Sequence, residues 1–588
     1  MKSSRNSSNF LPTSKKEMDA LGWDKADIIL FTGDAYVDHP SFGAAVIGRI
    51  LEKEGYKVAV VPQPNWRDDL RDFRKLGTPR LFFAVTSGSM DSMVNHYTAN
   101  KRLRSNDAYT PNGKSGYRPD YAVKTYSKIL KQLFPEVPLV LGGVEASLRR
   151  FTHYDYWANK LFPSILVESG ADILVYGMGE KAIIEVAHRI SKGQYIKEIN
   201  DIPQTAFVDT YNYSYDSELV KLNSLDQCVK DKVMFGENFR KIEEESNKIN
   251  AKRIVEPYKD QYVIVNPPFP PSTETEMDSW WNLPFTRMPH PRYQGKEIPA
   301  WEMIKFSINI HRGCFGGCSF CTISAHQGKF VASRSENSIL NEIEQVKKMP
   351  DFKGYLSDLG GPSANMYKMK GKDISICKKC KKPSCIFPKI CSNLNTNHKD
   401  LLDLYRLVNN IPGIKKAFVG SGVRYDLFGD FSNKTNREYF EELVVNHISG
   451  RLKVAPEHTE DEVLKEMRKP TFQLFKILKQ RFDSINRKHS LNQQLIPYFI
   501  SSHPGCKLHH MQNLAKEMRN IGINPEQVQD FTPTPMTLAS TIFYTGVNPY
   551  TAKSVYVAKS KEEKIKQKSY FFGKDNINNR LQGNKGSR

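Results

Sequence analysis

The sequence predicts an α/β protein made of two consecutive units in which strands and helices alternate. In the first unit, short apolar runs alternate with helical periodicity between residues 27 and 200, which is typical of an open parallel sheet. In the second unit, six strand-like segments separated by helical stretches follow residue 299, which favours a (β/α)6 partial TIM barrel. A chain of 588 residues is too long for one ordinary core, so more than one unit is expected.

The first unit is predicted to span 21–200, after a polar N-terminus at 1–20. Its predicted strands are 27–31, 58–61, 81–85, 139–141 and 172–176. Glycine turns follow two of them, at Gly142-Gly143 and at Gly177-Met178-Gly179. In an open α/β sheet this edge is where ligands bind.

Residues 201–298 are predicted to form a connector between the two units. Their periodicity is weaker, apart from a charged, helix-compatible segment at 228–253. The run Asn266-Pro267-Pro268-Phe269-Pro270-Pro271 contains too much proline for regular structure. We expect this connector to lie over the second unit.

The second unit is predicted to span 299–557, followed by a basic tail at 558–588. Its predicted strands are centred on Ile308 and on the segments 354–357, 417–420, 452–455, 494–500 and 527–531. Ser338 is the expected N-cap of the first helix, whose apolar face carries Ile339, Ile343 and Val346. Active sites of parallel barrels lie at the carboxyl ends of the strands, and the chemical motifs follow these predicted strands.

The most specific motif is a three-cysteine loop with the spacing C-x3-C-x2-C, formed by Cys314, Cys318 and Cys321. Three glycines in and beside it allow a tight turn that brings the sulfurs together. Iron–sulfur cubanes are normally held by four cysteines, so three ligands leave one iron without a protein ligand. A structural zinc loop is the alternative, but the spacing is unlike a C-x2-C pair, and the further ligand nearby is His311.

The loop and its neighbourhood resemble a known family. The three cysteines, with Phe320 before the last, are similar to the cluster-binding signature of the radical S-adenosylmethionine (SAM) superfamily. The sequence around this motif resembles the YgiQ family of radical SAM proteins, which is largely uncharacterised. The matching segments are Asn266-Pro267-Pro268, His311-Arg312-Gly313-Cys314-Phe315-Gly316-Gly317-Cys318-Ser319-Phe320-Cys321, His326-Gln327-Gly328 and Ser384-Cys385-Ile386-Phe387-Pro388-Lys389-Ile390-Cys391.

The resemblance implies a radical SAM core with two cofactors, a 4Fe-4S cluster and SAM. It also implies that the open iron chelates the amino and carboxylate groups of SAM, and that one electron cleaves the sulfonium bond. The resulting 5'-deoxyadenosyl radical would abstract hydrogen from a substrate that the sequence does not identify. An electron donor such as flavodoxin or ferredoxin is implied as a partner.

The resemblance also implies where SAM would be contacted. Superfamily members place a G-G-E motif after the second strand, where this chain has Gly360-Gly361-Pro362, so the acidic member is replaced by proline. Further positions at predicted strand ends are Ser421 and Gly422 with Arg424, Glu457 with His458, and His503 with Gly505. For each, a structural turn is the alternative to a SAM contact.

The first unit resembles the cobalamin-binding type of domain that precedes many radical SAM cores. Cobalamin binders of that type carry D-x-H-x-x-G, whereas here Asp38 is adjacent to His39 and Gly43 comes one position late. We therefore expect this unit to shape the substrate site or dock a partner. His39 is expected to be a turn histidine before Pro40.

A second cysteine group is predicted in a Lys- and Pro-rich insertion at 366–398. Cys377, Cys380, Cys385 and Cys391 have the spacing C-x2-C-x4-C-x5-C, on a segment with too little apolar content to fold without metal. A closed zinc site and an auxiliary iron–sulfur cluster are both compatible with this spacing.

The composition limits the remaining possibilities. Seven of nine cysteines lie between 314 and 391, which favours metal binding in a reducing compartment over disulfides. No secretory h-region or 18-residue apolar stretch is present, so we expect a soluble, cytoplasmic protein without membrane contact. The net charge of +21 is compatible with nucleic-acid contact. It keeps two alternatives open: an RNA-modifying, methylthiolation-like enzyme, and a non-enzymatic metal-stabilised nucleic-acid-binding protein.

Overall fold

The computed structural model describes residues 9–213 and 216–571. Residues 1–8 of the predicted polar N-terminus and 572–588 of the predicted basic tail lie outside the described residues. The segment after residue 8 packs against the first unit: Leu11 is fully buried, and the carbonyl of Pro12 accepts a hydrogen bond from the N–H of Val60.

The first unit is built on a nine-stranded sheet. The strands up to residue 298 are β1 (Ile28–Thr32), β2 (Val58–Pro62), β3 (Phe82–Thr86), β4 (Leu139–Leu141), β5 (His153–Asp155), β6 (Lys160–Phe162), β7 (Ile173–Val175), β8 (Thr205–Asp209), β9 (Val220–Lys221), β10 (Ile254–Tyr258) and β11 (Gln261–Val265). The sheet order is β2-β1-β3-β4-β7-β8-β11-β10-β9, while β5 and β6 form a separate hairpin.

Helices cover both faces of this sheet. The helices up to residue 298 are α1 (Lys15–Ala20), α2 (Gly43–Lys53), α3 (Arg71–Arg74), α4 (Ser92–His96), α5 (Ala122–Leu133), α6 (Gly143–Leu148), α7 (Ile165–Ser169), α8 (Glu180–Ser191), α9 (Leu225–Lys230), α10 (Lys232–Ser246) and α11 (Glu274–Trp281). Ile28 and Leu30 pack into one hydrophobic cluster and Ile29 and Phe31 into another, so β1 is buried on both sides. This is why its sequence is a continuous apolar run.

The five predicted strands of the first unit are confirmed as β1 to β4 and β7, and they pair in parallel. The sheet is larger and more mixed than predicted, because 201–298 supplies four further strands. β8 pairs antiparallel with β7, and β11 pairs antiparallel with both β8 and β10. Residues 201–298, predicted as a connector, therefore contribute to the sheet of the first unit.

The second unit alternates short parallel strands with helices. Its strands are β12 (Ser307–Asn309), β13 (His311–Arg312), β14 (Ala332–Ser333), β15 (Tyr355–Leu356), β16 (Asp358–Gly360), β17 (Lys416–Ala417), β18 (Arg451–Glu457), β19 (Gln494–Ser501) and β20 (Gln527–Asp530). Its helices, starting just before β12, are α12 (Pro299–Ile304), α13 (Ile323–Gln327), α14 (Glu336–Lys347), α15 (Ile374–Lys378), α16 (Lys399–Asn409), α17 (Lys434–Asn446), α18 (Asp461–Met467), α19 (Phe472–Lys488), α20 (Leu508–Asn520), α21 (Leu538–Thr545) and α22 (Lys561–Lys568).

Parallel pairing links the predicted strands of the second unit in sequence order. β12 pairs with β16, β15 pairs with β17, and β18, β19 and β20 form one three-stranded sheet. A parallel bridge between Val423 and Val454 connects the third and fourth predicted positions. The carboxyl ends of these strands therefore meet on one side of the unit.

The helix cap predicted after the cysteine loop is wrong by one turn. Ser335 caps α14, and its Oγ accepts the N–H of Ser338 at 3.1 Å. Ser338 lies inside the helix, where its Oγ is held by the buried guanidinium of Arg334. Its side chain is therefore engaged elsewhere and cannot serve as the cap.

Among the described residues, no helix combines the length and the apolar character that crossing a membrane requires.

Candidate functional site

The three-cysteine loop lies between β13 and α13, next to the carboxyl end of β12. Cys314 is buried, while Cys318 and Cys321 are partly exposed. Two glycines in the loop have positive φ angles, +85° at Gly313 and +61° at Gly317. A Cβ atom would lie 2.2 Å from the Phe330 carbonyl oxygen at Gly313 and 2.3 Å from that of Pro383 at Gly317. Both positions therefore require glycine for conformation and for space.

A guanidinium lies against the thiols. Arg424 Nη1 donates to Cys318 Sγ at 3.1 Å, and the N–H of Gly316 lies 3.4 Å from Cys314 Sγ. Asp426 binds the other edge of the same guanidinium, with an Nε–Oδ1 distance of 3.0 Å. Burial disfavours the charge of Arg424, but Asp426 and then Cys318 outweigh it and hold the pKa of Arg424 well above its ordinary value. A permanent cation thus lies against the loop.

Burial disfavours the thiolate form of two of the three cysteines. Burial, followed by the neighbouring Cys318 and Cys314, raises the pKa of Cys321 to about 12, and burial also raises the pKa of Cys314. A metal centre would have to displace these protons, because thiolates are the ligands of iron–sulfur clusters.

The donor set consists of three thiols, and thiolates are the ligands that hold iron–sulfur clusters. In a cubane each thiolate binds a different iron. Arg424 supplies a hydrogen bond to sulfur of the kind that tunes such clusters. The three predicted metal ligands therefore fit a 4Fe-4S cluster with one iron left open.

The predicted glycine pair follows β16 and contacts the cysteine strand. The Gly360 carbonyl accepts the N–H of Ile310 at 2.8 Å. A Cβ at Gly361 would lie 2.5 Å from the His311 ring. His311 is fully buried, and this burial lowers its pKa to about 4. The pair thus allows the end of β16 to approach β13 closely.

The second predicted pair lies at the next strand end. Ser421 hydrogen-bonds to Asp358 of β16 through both its N–H and its hydroxyl group. A Cβ at Gly422 would meet nothing within 4 Å, so this position borders open space. Ser421 therefore joins two strand ends, and Gly422 leaves room beside them.

Of the last predicted pair, His503 contacts the three-cysteine loop and Gly505 does not. His503 Nε2 lies 3.1 Å from the hydroxyl of Ser319, which belongs to the three-cysteine loop, and Nδ1 lies 2.8 Å from the Pro504 carbonyl. Nδ1 must therefore carry the proton, and Nε2 accepts from Ser319. Gly505 donates its N–H to the Tyr556 carbonyl and has Glu466 beside it, so it serves the C-terminal segment.

Sequence reasoning did not select Asp426 as a site residue, and it selected Glu457 only as a position at a predicted strand end. Glu457 ends β18 with a φ of +69°, in the left-handed region that glycine normally occupies. It is buried and forms a loose ion pair with Lys469 at 3.7 Å; burial raises its pKa. A carboxylate is thus present near the loop, although Pro362 replaces the acidic residue of G-G-E. The R-x-D spacing of Arg424 and Asp426 was the signal available for Asp426.

The loop also contacts the first unit. Arg312, two residues before Cys314, forms an ion pair with Glu180 at the start of α8 and stacks on Trp281, with 4.3 Å from its Cζ to the ring centre. Gln327 Oε1 accepts the N–H of Gly313 at 3.1 Å. Residues of both units line a cavity of about 290 Å³ here, including Gly143, Gly179, Glu180, Arg312 and Gln327. The ligand-binding edge predicted for the sheet therefore faces the cysteine loop.

The residues of the incomplete cobalamin motif have structural roles. Asp38 forms a buried ion pair with Arg49 at 2.7 Å and accepts the N–H of Thr286. His39 Nδ1 accepts the N–H of Ser41 at 3.1 Å, which is the turn role expected from the sequence.

The chain matches two family models. Residues 10–307 match a model described as radical SAM N-terminal, and 526–582 match a domain of unknown function, DUF3362. A UPF0313 protein of Bacteroides thetaiotaomicron is 60% identical over 96% of this chain and 94% of its own length. A UPF0313 protein of Porphyromonas gingivalis is 59% identical over 96% of this chain and 90% of its own length.

A solved structure is similar at a lower level. The radical SAM methyltransferase TsrM of Kitasatospora setae, solved with tryptophan and a SAM analogue bound, gives a TM-score of 0.47 at 14% identity. The match covers 87% of this chain and 75% of that one. The family matches confirm the radical SAM assignment made from the cysteine loop, and they agree with the predicted 4Fe-4S and SAM cofactors. The chain belongs to the UPF0313 family and carries a radical SAM N-terminal domain.

Proposed function

We propose that the protein is a radical SAM enzyme of unknown substrate, with Cys314, Cys318 and Cys321 as the cluster ligands. When bound, a 4Fe-4S cluster with one open iron supplies the electron that splits SAM into methionine and a 5'-deoxyadenosyl radical. The observation that carries the proposal is the loop itself, in which a buried arginine donates to Cys318 and lies near Cys314.

The residues around the loop would hold this site in position. Arg424 offsets negative charge on the thiolates, and Asp426 fixes the guanidinium from its other edge. The hydrogen bond between Ser319 and His503 ties the middle of the loop to the end of β19. These contacts restrict loop motion before any ligand binds, which is the condition for precise positioning.

We place SAM at the strand ends beside the loop. Gly360 and Gly361 would bring backbone groups close to it, while Ser421 and Gly422 border the open space next to them. Glu457 is our candidate partner for the SAM amino group, because it is a buried carboxylate near the thiols. The parallel strand order of the second unit supports a (β/α)6 partial barrel as the frame of this site.

We propose the cavity between the two units as the substrate site. Its size is near the lower end of small-molecule sites, and it lies at the carboxyl edge of the parallel strands. Glu180 Oε2 and Asn309 Oδ1 border it and are buried without a hydrogen-bond partner among the described residues. Two unpaired acceptors favour a substrate with N–H or O–H donors. The electron would come from an external one-electron donor such as flavodoxin or ferredoxin.

The test is anaerobic reconstitution with iron and sulfide, followed by dithionite and SAM, with 5'-deoxyadenosine as the measured product. Wild type should form it, and the Cys314→Ala, Cys318→Ala and Cys321→Ala variants should not. Cys228→Ala is the matched control, because Cys228 is a buried thiol of a separate hydrophobic cluster. Absence of 5'-deoxyadenosine from reconstituted wild type that contains the cluster would refute the proposal.

A further inference from the structure

The four cysteines of the insertion come together although they span fifteen positions of the sequence. The N–H of Cys380 donates to the Cys377 carbonyl at 3.3 Å, and the N–H of Cys391 donates to the Cys385 carbonyl at 2.8 Å. Charges on Cys380, Cys391 and Cys377 all act on Cys385, so the four thiols share one neighbourhood. Two backbone-paired halves thus form one group.

A cavity lies within this group. It has a volume of about 170 Å³, and Cys377, Cys385 and Cys391 line it together with Phe315 and Met369. Three of the four thiols therefore border a common space that is partly walled by apolar side chains. Such a space is what a thiolate-held inorganic centre occupies in a folded protein.

The charge balance of the insertion is incomplete without an anion. Lys329 is buried, with 3% of its surface exposed, and its Nζ contacts the Lys382 carbonyl at 2.6 Å and Cys380 Sγ at 3.7 Å. Among the residues that the structure describes, no carboxylate forms an ion pair with this ammonium group. A buried cation requires a compensating charge, and four metal-bound thiolates supply a net negative one.

The cavity distinguishes between the two kinds of centre. Three of the four thiols border a space of about 170 Å³, which is more than a single ion fills. A zinc site needs its four sulfurs around a single point. A cluster needs them further apart, because each binds a different iron. The space between the thiols therefore favours a cluster over a single zinc ion.

We propose that Cys377, Cys380, Cys385 and Cys391 hold a second iron–sulfur cluster, with Lys329 as its buried countercharge. All four cluster irons would then have a protein ligand, so this site has no open position for SAM. Its place next to the first loop follows from two hydrogen bonds. The N–H of Cys385 donates to the Phe315 carbonyl at 3.0 Å, and Ser384 Oγ donates to the Gly316 carbonyl at 2.8 Å.

The test removes the first site and counts what remains. The full chain carrying Cys314→Ala, Cys318→Ala and Cys321→Ala together is reconstituted anaerobically with iron and sulfide, and iron, acid-labile sulfide and zinc are measured. We expect about four iron and four sulfide per chain, the content of one cubane. Zinc without iron, or no metal at all in a folded chain, would overturn the proposal. The result does not depend on SAM cleavage, which this variant lacks by design.

A second variant covers the case in which the triple variant fails to fold. Replacing the four insertion cysteines by serine should halve the iron of wild type, whereas Cys228→Ala should leave it unchanged. Unchanged iron would count against the second cluster.

The role of Lys329 is tested in the triple variant. Lys329→Met should lower the midpoint potential of the remaining cluster, because a nearby positive charge favours the reduced state. An unchanged midpoint potential would show that Lys329 does not act as the countercharge of this cluster.

Discussion

Arg424 Nη1 lies 3.1 Å from Cys318 Sγ, although 106 positions separate the two residues in the sequence. The same guanidinium binds Asp426 through two nitrogens and also lies close to Gly316, where a Cβ would be 2.9 Å from Nη1. The third predicted strand end of the second unit is thereby attached to the cysteine loop.

Arg424→Lys should weaken cluster retention. Lysine keeps the charge but cannot bond to Cys318 and Asp426 with one planar group. The loss of one charge-assisted hydrogen bond costs about 1.5–3 kcal/mol, which corresponds to roughly a 10- to 150-fold weaker site. Iron per chain after exposure to a chelator measures this. Arg437→Lys in α17 is the control, since Arg437 bonds to the carbonyls of Phe431 and Ser432. Equal iron loss in both variants would contradict the role of Arg424.

Gly317→Ala should destabilise the protein more than Gly522→Ala. Both glycines have a positive φ, +61° and +68°, so each variant pays about 1–2 kcal/mol for the left-handed backbone. Only Gly317 has an obstacle, the Pro383 carbonyl, whereas nothing lies within 4 Å of a Cβ at Gly522. Thermal unfolding and iron content should therefore change mainly in Gly317→Ala. Similar Tm values for the two variants would contradict this prediction and show that the insertion moves to accommodate a Cβ atom at position 317.

The stability of the protein should fall in acid partly through His398. Burial lowers the pKa of His398 to about 3, so the unfolded chain binds this proton first as the pH falls below the ordinary value of 6.5. At pH 5.0 the folded state should have lost about 2 kcal/mol through this group relative to pH 7.5. His398→Gln should abolish this His398-dependent loss of folding stability, as measured by urea unfolding at both pH values. His188→Gln, at an exposed position of α8, should change nothing. An unaltered pH dependence in His398→Gln would contradict this.

A second effect of His398 is expected near pH 3, where the ring binds a proton in the folded chain and should affect the cysteine loop. The Nδ2 group of Asn365 donates to His398 Nε2 at 3.1 Å, and the Oδ1 atom of Asn365 accepts the backbone N–H of Arg424 at 2.7 Å. Protonation of His398 removes the acceptor of the first bond and frees the amide that fixes Arg424. Cluster loss in acid should therefore be slower in His398→Gln than in wild type.

Glu180→Gln should loosen the contact between the two units. The variant leaves Arg312 largely buried without its carboxylate, a change that costs about 3–5 kcal/mol for a buried pair. Hydrogen exchange at 311–313 should become faster. Asp403→Asn is the control, because its pair with Lys399 is exposed and worth less than about 1 kcal/mol. Replacing both Glu180 and Arg312 by methionine should recover part of the loss, and failure to do so would indicate a role for Arg312 beyond the pair.

The strands and motifs that depend on a local sequence pattern could be predicted from the sequence. The strands β1 to β4 and β7 are continuous apolar runs, and the three-cysteine loop is contained in eight residues. The strand β10 escaped prediction because Glu256 and Pro257 interrupt its apolar pattern. Glu256 is nevertheless buried, where it accepts the N–H of Thr152 and burial raises its pKa to about 7. Only the folded chain provides that partner.

The contacts that define the candidate site were also beyond sequence reasoning. Arg312 and Glu180 are 132 positions apart, and Lys329 and Cys380 are 51 apart. Neither pair leaves a periodic or spacing signal, because each depends on how separate strands and loops meet. The cysteine motifs could be recognised since their ligands are close in sequence, whereas their charge partners could not.

The Pro383 carbonyl oxygen lies where a side chain at Gly317 would begin, so the insertion forms one wall of the three-cysteine loop. Deleting residues 366–398 would uncover Phe315 and the backbone of Gly316, and dioxygen would reach the loop from the side now covered. A shorter chain would therefore need a different shield for an oxygen-sensitive centre. In evolutionary terms, the insertion and the loop are expected to be inherited together.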